Sequence, residues 1–309
     1  MKMNTPTLQK TTTIVSNKKR SKKQNIELAA FLFLLPSLIG FLVFYIIPAF
    51  RGVYLSLTDW DLLGDPNFIG LQNYKDLLSD KAFWNSLLVT IKYVLWNIPF
   101  QTILALGIAL VMDRVISSSV FRGMLLIPWL LPNVVVALLW LWLLDPAVGV
   151  INSTIDALGG TPLNFLTSIE LALPSIAGIN IWRHMGYTAL IVFAGLQGIP
   201  KEVEEAALID GASPWIRFTK IIIPYLRPVL AFVIITSVIG SFQVFDTVAI
   251  TTKGGPVTAT YVIYLFIYKN GFENYLMGYA TAASMILFLI LLGISFIQMR
   301  VMRANESDF

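Results

Sequence analysis

The run Leu28-Ala-Ala-Phe-Leu-Phe-Leu-Leu-Pro-Ser-Leu-Ile-Gly-Phe-Leu-Val-Phe-Tyr-Ile-Ile-Pro-Ala-Phe50 carries no charge. As a helix its length would be about 34 Å, enough to cross a hydrocarbon core of roughly 30 Å. It is too long for the apolar core of a secretory signal and lacks a small-residue cleavage site, so it reads as a first membrane span that is kept. Before it, residues 1–25 are polar, hold Lys18, Lys19, Arg20, Lys22 and Lys23, and have almost nothing to bury; they read as a disordered basic tail.

Further apolar runs follow, predicting spans at 86–112, 122–144, 176–196, 226–248 and 279–299. The expected fold is all-α: a polytopic membrane domain over 26–305 with six transmembrane helices. Composition agrees, since 56% of residues are hydrophobic and 13% charged, against about 25% charged in soluble chains. Pro36, Pro99, Pro128 and Pro132 are expected to kink their helices for packing rather than for gating. Without cysteine and with a single histidine, the chain has no disulfide framework, thiol nucleophile or Cys/His metal site. Its net charge of +4 reflects the tail rather than a basic folded surface, so no nucleic acid partner is implied.

Lys and Arg are retained on the cytoplasmic side of short loops. With the N-terminus inside, the tail, Arg114, Arg122, Lys201, Arg217, Lys220, Arg227, Arg300 and Arg303 fall there, and only Arg51, Lys75, Lys81, Lys253 and Lys269 fall opposite. Both termini are therefore expected in the cytoplasm, with loops 51–85, 145–175 and 249–278 facing out. Residues 73–88 have roughly helical apolar spacing and read as a helix lying on the outer membrane surface.

One connection is far richer than a linker needs: Gly198-Ile-Pro-Lys-Glu-Val-Glu-Glu-Ala-Ala-Leu-Ile-Asp-Gly-Ala-Ser-Pro-Trp-Ile-Arg-Phe-Thr-Lys-Ile-Ile-Ile-Pro224. Pro200 suits a first helical turn, Glu202, Glu204 and Glu205 favour its positive end, and Gly211 permits a sharp stop. Ser213 reads as the N-cap of a second helix with Pro214 just inside, running toward a break at Pro224. The product is a cytoplasmic helix-turn-helix knob. Docking into a groove on a soluble partner and resting on lipid are both open from the physics alone.

The pattern Glu205-Ala206-Ala207, three residues, Gly211, nine residues, Ile221, one residue, Ile223-Pro224 resembles the EAA loop of ABC importer permeases, with Ile223 where Leu is usual. The likeness covers nearly the whole chain after the tail and is nearest to the sugar-permease branch, of maltose and glycerol-3-phosphate type. Leu57-Thr58-Asp59-Trp60, Phe68 to Tyr74, Phe242 to Asp246, Gly254-Gly255-Pro256 and Met277 to Ala280 are similar to that branch's recurring segments. The resemblance implies ATPase coupling through Glu205, Ala206, Ala207, Asp210, Gly211, Ile221 and Pro224. It also implies a multi-pass place in a bacterial or archaeal cytoplasmic (inner) membrane, and partners: a second permease subunit (a heterodimer), two ATP-binding subunits and an extracytoplasmic substrate-binding protein. No phosphate-binding G-x-x-x-x-G-K-[ST] loop occurs, so ATP and Mg are expected to be used by the partner ATPase and no cofactor by this chain.

Ionisable groups inside spans normally face the bundle interior or a wet path. Lys92 is near a span end, where it can snorkel. Arg183, His184 and Tyr187 combine donors with a flat apolar face, as sugars require, although a lone histidine such as His184 is more often a structural hydrogen-bonding residue than a ligand; Ser237, Ser241, Gln243 and Asp246 add hydroxyl, amide and carboxylate groups on the fifth span. The family likeness implies sugar contacts at Tyr187, Ser237 and Ser241. Asp246 reads equally as a tether to Arg183 or Lys92. The sequence offers no catalytic set. A membrane-embedded enzyme would need an acid cluster, and only Asp59, Asp61 and Asp65 provide one, inside a permease-like segment. An ion-coupled secondary carrier would need inverted repeats, and none is evident.

Overall fold

A computed structural model describes residues 30–115 and 118–303; the expected tail, residues 26–29 and residues 304–305 lie outside the described residues. The chain divides into two compact units at Leu55/Ser56. The first contains α1, Ala30–Leu55, which continues five residues past the expected end at Phe50. Apart from Arg51 it is apolar, and its large side chains are open, with Phe33 at 89% exposure, a cost in water but none in lipid.

In the second unit α2 spans Gln72–Ser79 and α3 spans Lys81–Arg114. Residues 73–88 are therefore not one surface helix: Asp80 caps a new one, its Oδ1 accepting the Ala82 N–H at 2.7 Å, and 81–88 are the first turns of the second span. The other oxygen, Oδ2, accepts the Tyr279 hydroxyl at 2.7 Å and joins this helix start to the last long helix. Pro99 sits within α3 without breaking it.

The expected single span 122–144 is instead two helices, α4 (Ser119–Leu130) and α5 (Asn133–Leu143), bent by 93° at Leu131-Pro132. Proline at 132 removes a donor and drives Leu131 into extended conformation (φ −71°, ψ 140°). A short α6 (Val150–Ala157) leads to α7 (Ala172–Leu196). Next come α8 (Lys201–Ile209) and α9, one helix over 214–242 with a π turn at Phe218–Ile222. The described residues finish with α10 (Asp246–Thr251), α11 (Ile263–Tyr268) and α12 (Met277–Arg303).

The expected break at Pro224 does not form. The proline ring would strike the carbonyl of residue 220 in a regular helix, and the wide π turn just before Ile223-Pro224 moves that carbonyl aside, with Ile223 N–H bonding Phe218 O. In α1 a π turn, Leu42–Ile46, precedes Ile47-Pro48 in the same way. The fifth predicted span, 226–248, ends early: α9 stops at Phe242, Gln243 is its C-cap, and Asp246 starts α10.

Among the described residues four helices are long and apolar enough to cross a membrane, α1, α3, α9 with its extension, and α12; the bent α4–α5 pair makes five. The expected six is not reached, because α7, 25 residues long, is diluted by Asn180, Arg183 and His184. The second unit is built on α3 lying along α7, with α4 and α9 flanking them. One apolar cluster joins Ala105, Ala109 and Met112 to Ala189, Val192, Ile222 and Leu226, where small residues let the helices approach closely. A second joins Tyr93, Val136, Ile176, Ile179 and Val248, and a third Phe83, Ile263, Phe266 and Ala283.

Candidate functional site

Between these clusters α3, α4, α5, α7, α9 and α10 enclose a cavity of about 310 Å³. All seven residues expected along a substrate path, Arg183, His184, Tyr187, Ser237, Ser241, Gln243 and Asp246, line it. They arrive from three elements: α7 gives the first three, α9 the serines and its Gln243 cap, and α10 the aspartate.

The wall also holds polar residues that the sequence reading missed. On α3, Asn97 Nδ2 donates to Ser241 Oγ at 2.9 Å, and Gln101 Nε2 donates to Thr188 Oγ1 at 3.0 Å and Ser237 Oγ at 3.4 Å. Asn180 Oδ1 accepts from Thr247 Oγ1 at 3.3 Å. The available signal was spacing: Asn97 and Gln101 are four apart, and so are Asn180, His184 and Thr188, which makes a polar stripe on one face of each apolar helix. Asn97 Oδ1 is a buried acceptor with no protein partner.

Arg183 turns both terminal nitrogens of its guanidinium to the protein. Nη2 reaches the carbonyls of Trp129 (3.3 Å) and Leu131 (3.1 Å), and Nη1 lies 3.2 Å from His184 Nε2. His184 Nδ1 lies 2.8 Å from the Asn180 carbonyl. A carbonyl only accepts and a guanidinium only donates, so the imidazole carries its proton on Nδ1 and accepts at Nε2. Trp129 and Tyr187 stack at 4.5 Å, nearly parallel (7°), and give the cavity an aromatic surface. Asp246 forms no direct ion pair with Arg183 or Lys92; its Oδ2 accepts from Asn133 Nδ2 at 2.5 Å. Lys92 stands on another, exposed face of α3 beside Trp96 and Phe100. Among the described residues no group of acids, histidines or cysteines could hold a metal ion.

The loop 198–224 folds as a helix, a tight turn and a second helix. Pro200 is the N-cap of α8 rather than part of its first turn, and Glu202 and Glu204 lie at its positive end. Asp210 is the C-cap; Gly211, at φ +72°, sends its N–H to Leu208 O and Ala212 N–H bonds Ala207 O, the paired closure of a glycine-terminated helix. Ser213 caps α9 through Ile216 N–H (3.3 Å), and Arg217 pairs with Glu204 at 3.1 Å across the turn. Glu205, Ala206 and Gly211 are exposed with Ile209 and Trp215, whereas Ile221 and Pro224 sit half-buried within α9, away from that tip. The seven expected coupling residues thus divide between an exposed knob and the helix that carries it.

Residues 101–304 match the family described as binding-protein-dependent transport system inner membrane component. A probable ABC transporter permease protein of Pyrococcus horikoshii is 38% identical over 84% of this chain and 91% of its own length. The trehalose/maltose transport system permease protein MalF of Thermococcus litoralis is 34% identical over 88% of this chain and 93% of its own. The sn-glycerol-3-phosphate transport system permease protein UgpA of Agrobacterium fabrum is 33% identical over 89% and 94%. The fold is similar to a chain of a bacterial ABC transporter involved in the import of the acidic polysaccharide alginate, with TM-score 0.79, 24% identity, and 93% and 99% of the two chains covered.

Proposed function

The chain belongs to the binding-protein-dependent transport system inner membrane component family, and on that premise we propose that its cavity is part of the path by which an ABC importer moves a neutral sugar or related polyol. The permease is a transporter subunit and not an enzyme. The observation that carries the cargo class is the cavity wall, where amides and hydroxyls from α3, α7 and α9 surround the stacked Trp129–Tyr187 pair. Sugar hydroxyls need such donors and acceptors, and sugar C–H faces need a ring to lie against. A phosphorylated cargo would call for converging cations, and the guanidinium of Arg183 is already engaged by carbonyls. The sugar-transport names of several relatives, MalF among them, support the same reading.

In the assembly, α7 is a span too and brings the number to six, with its polar stripe turned inward where hydrocarbon does not reach it. Both termini and the loop 198–224 face the cytoplasm. The exposed tip around Glu205, Ala206, Ala207, Asp210 and Gly211 docks on an ATP-binding subunit, while Ile221 and Pro224, inside α9, carry the movement of that subunit to the cavity. Two such subunits use ATP and Mg; a second, related permease closes the other half of the path; an external binding protein delivers cargo to the outward loops.

The test is to purify the complex through a tag on this chain, reconstitute it in proteoliposomes, and measure ATP hydrolysis with binding protein and a panel of sugars, sugar phosphates and amino acids. Stimulation by neutral sugars is expected. Stimulation only by phosphorylated or zwitterionic cargo would overturn the cargo class.

A further inference from the structure

A helix broken inside a membrane leaves carbonyls at the end of its first arm without amide partners, and hydrocarbon offers nothing to replace them. The α4–α5 break is of this kind, and its two sides are held by different helices. Arg183 of α7 donates from one nitrogen to Trp129 O and Leu131 O, the carbonyls on the α4 side. Its positive charge also meets the negative end of α4. On the α5 side Asn133, the first residue after Pro132, is bonded to Asp246 of α10. The guanidinium is itself seated: His184 accepts from Nη1 through Nε2 while its Nδ1–H is fixed on Asn180 O, one turn back along α7. Arg183 Nε is buried with no partner and closed to any molecule in the cavity.

We infer that Arg183, seated on His184, is a positioning residue that clamps the break between α4 and α5 and so fixes Trp129 and Asn133 at the cavity wall, rather than a ligand of the transported molecule. The inference rests on the reading that the cavity is the translocation path, but the clamp is a property of the chain without cargo. One nitrogen reaches both carbonyls, so the role needs several donors on a positive group rather than a planar fork. Methionine at 183 matches the stem and donates nothing, whereas lysine keeps the charge and three donors.

The measurement is the end-to-end distance of the bent pair. The arms have 12 and 11 residues, so they are about 18 and 16 Å long and their far ends lie about 24 Å apart at a right angle, against about 35 Å if straightened. The chain contains no cysteine, so with cysteine-free versions of the partner subunits, spin labels at V120C and W142C report on this pair alone in the assembled complex without sugar. R183M is expected to broaden the distribution toward longer distances, R183K to restore most of the short population, and H184F to shift it in the same direction as R183M. Uptake should fall about tenfold or more in R183M, since a misplacement near 1 Å suffices for that, and recover in R183K. A distribution in R183M that superimposes on the parent overturns the clamp. So does loss of uptake in R183M that depends on which sugar is carried while the distance stays fixed. Should the complex carry no sugar at all, the cargo reading fails, and the distance result still decides the clamp.

Discussion

At Gly186 α7 lies against the backbone of α4, and replacing it with alanine tests how α4 is placed. A Cβ at this position would stand 1.9 Å from Leu125 O and 2.7 Å from its carbonyl carbon. To reach 3.4 Å, the near edge of ordinary contact, the helices must part by about 1.5 Å, because the obstacle is backbone and cannot rotate away. Leu125 and Trp129 are one turn apart on α4, and Gly186 adjoins Tyr187 on α7, so the displacement falls on the 4.5 Å stack and on the 3.3 Å bond from Arg183 to Trp129 O. Overpacking of this kind costs about 1–3 kcal/mol, and misplacement near 1 Å at a working site lowers rate by up to about 10²-fold. The assay pairs uptake in proteoliposomes with thermal unfolding of the purified complex, using G178A on the same helix as control. A methyl group added at Gly178 would meet nothing within 4 Å, so alanine there should be neutral or slightly stabilising. If G186A transports at the parent rate and melts no lower than G178A, the close α4–α7 packing described above is refuted.

Other expectations follow from single residues. G211A forces alanine into φ +72° at a site with open space around it, so the cost is backbone strain of about 1–2 kcal/mol; co-purification of the ATP-binding subunit should weaken, and G211N should recover much of it. Asp80 both caps α3 and accepts from Tyr279, so D80A should lower the thermal midpoint of the complex more than Y279F, at about 1–2 against about 1 kcal/mol. Asp61 accepts the N–H groups of Gly64 and Leu63, which hold its carboxyl below the ordinary aspartate value. The sign follows: the turn keeps this support fully above the unfolded value of about 3.9 and loses it as pH falls through the lower folded value. Emission from a variant retaining only Trp60, whose indole N–H bonds Gly64 O, should therefore be flat from about pH 7 to 5 and change only below about pH 4, with no such step in D61N.

Local signals in the sequence determined a good part of this protein. Uninterrupted apolar runs placed it in a membrane, since backbone polar groups there must be satisfied within helices. Ser213, Pro214 and Gly211 marked the helix-turn-helix because capping and left-handed turns depend on residues a few positions apart. The cavity-lining residues on α7 and α9 stood out as polar groups where apolar ones are expected. What the tertiary structure decided lies in contacts between distant segments. Proline at 132 announces a disturbance, but the 93° bend is held by distant partners: Arg183, 52 residues from Leu131, receives the freed carbonyls, and Asp246 pairs with the Asn133 side chain. Asn97 and Gln101 gain meaning only when α3 lies along α7 and α9 and their amides meet Ser241, Thr188 and Ser237. Pro224 shows the opposite case: its local effect is strong, yet a π turn absorbs it and the helix continues, because the buried contacts of Ile222 and Leu226 on either side favour one unbroken helix over a break.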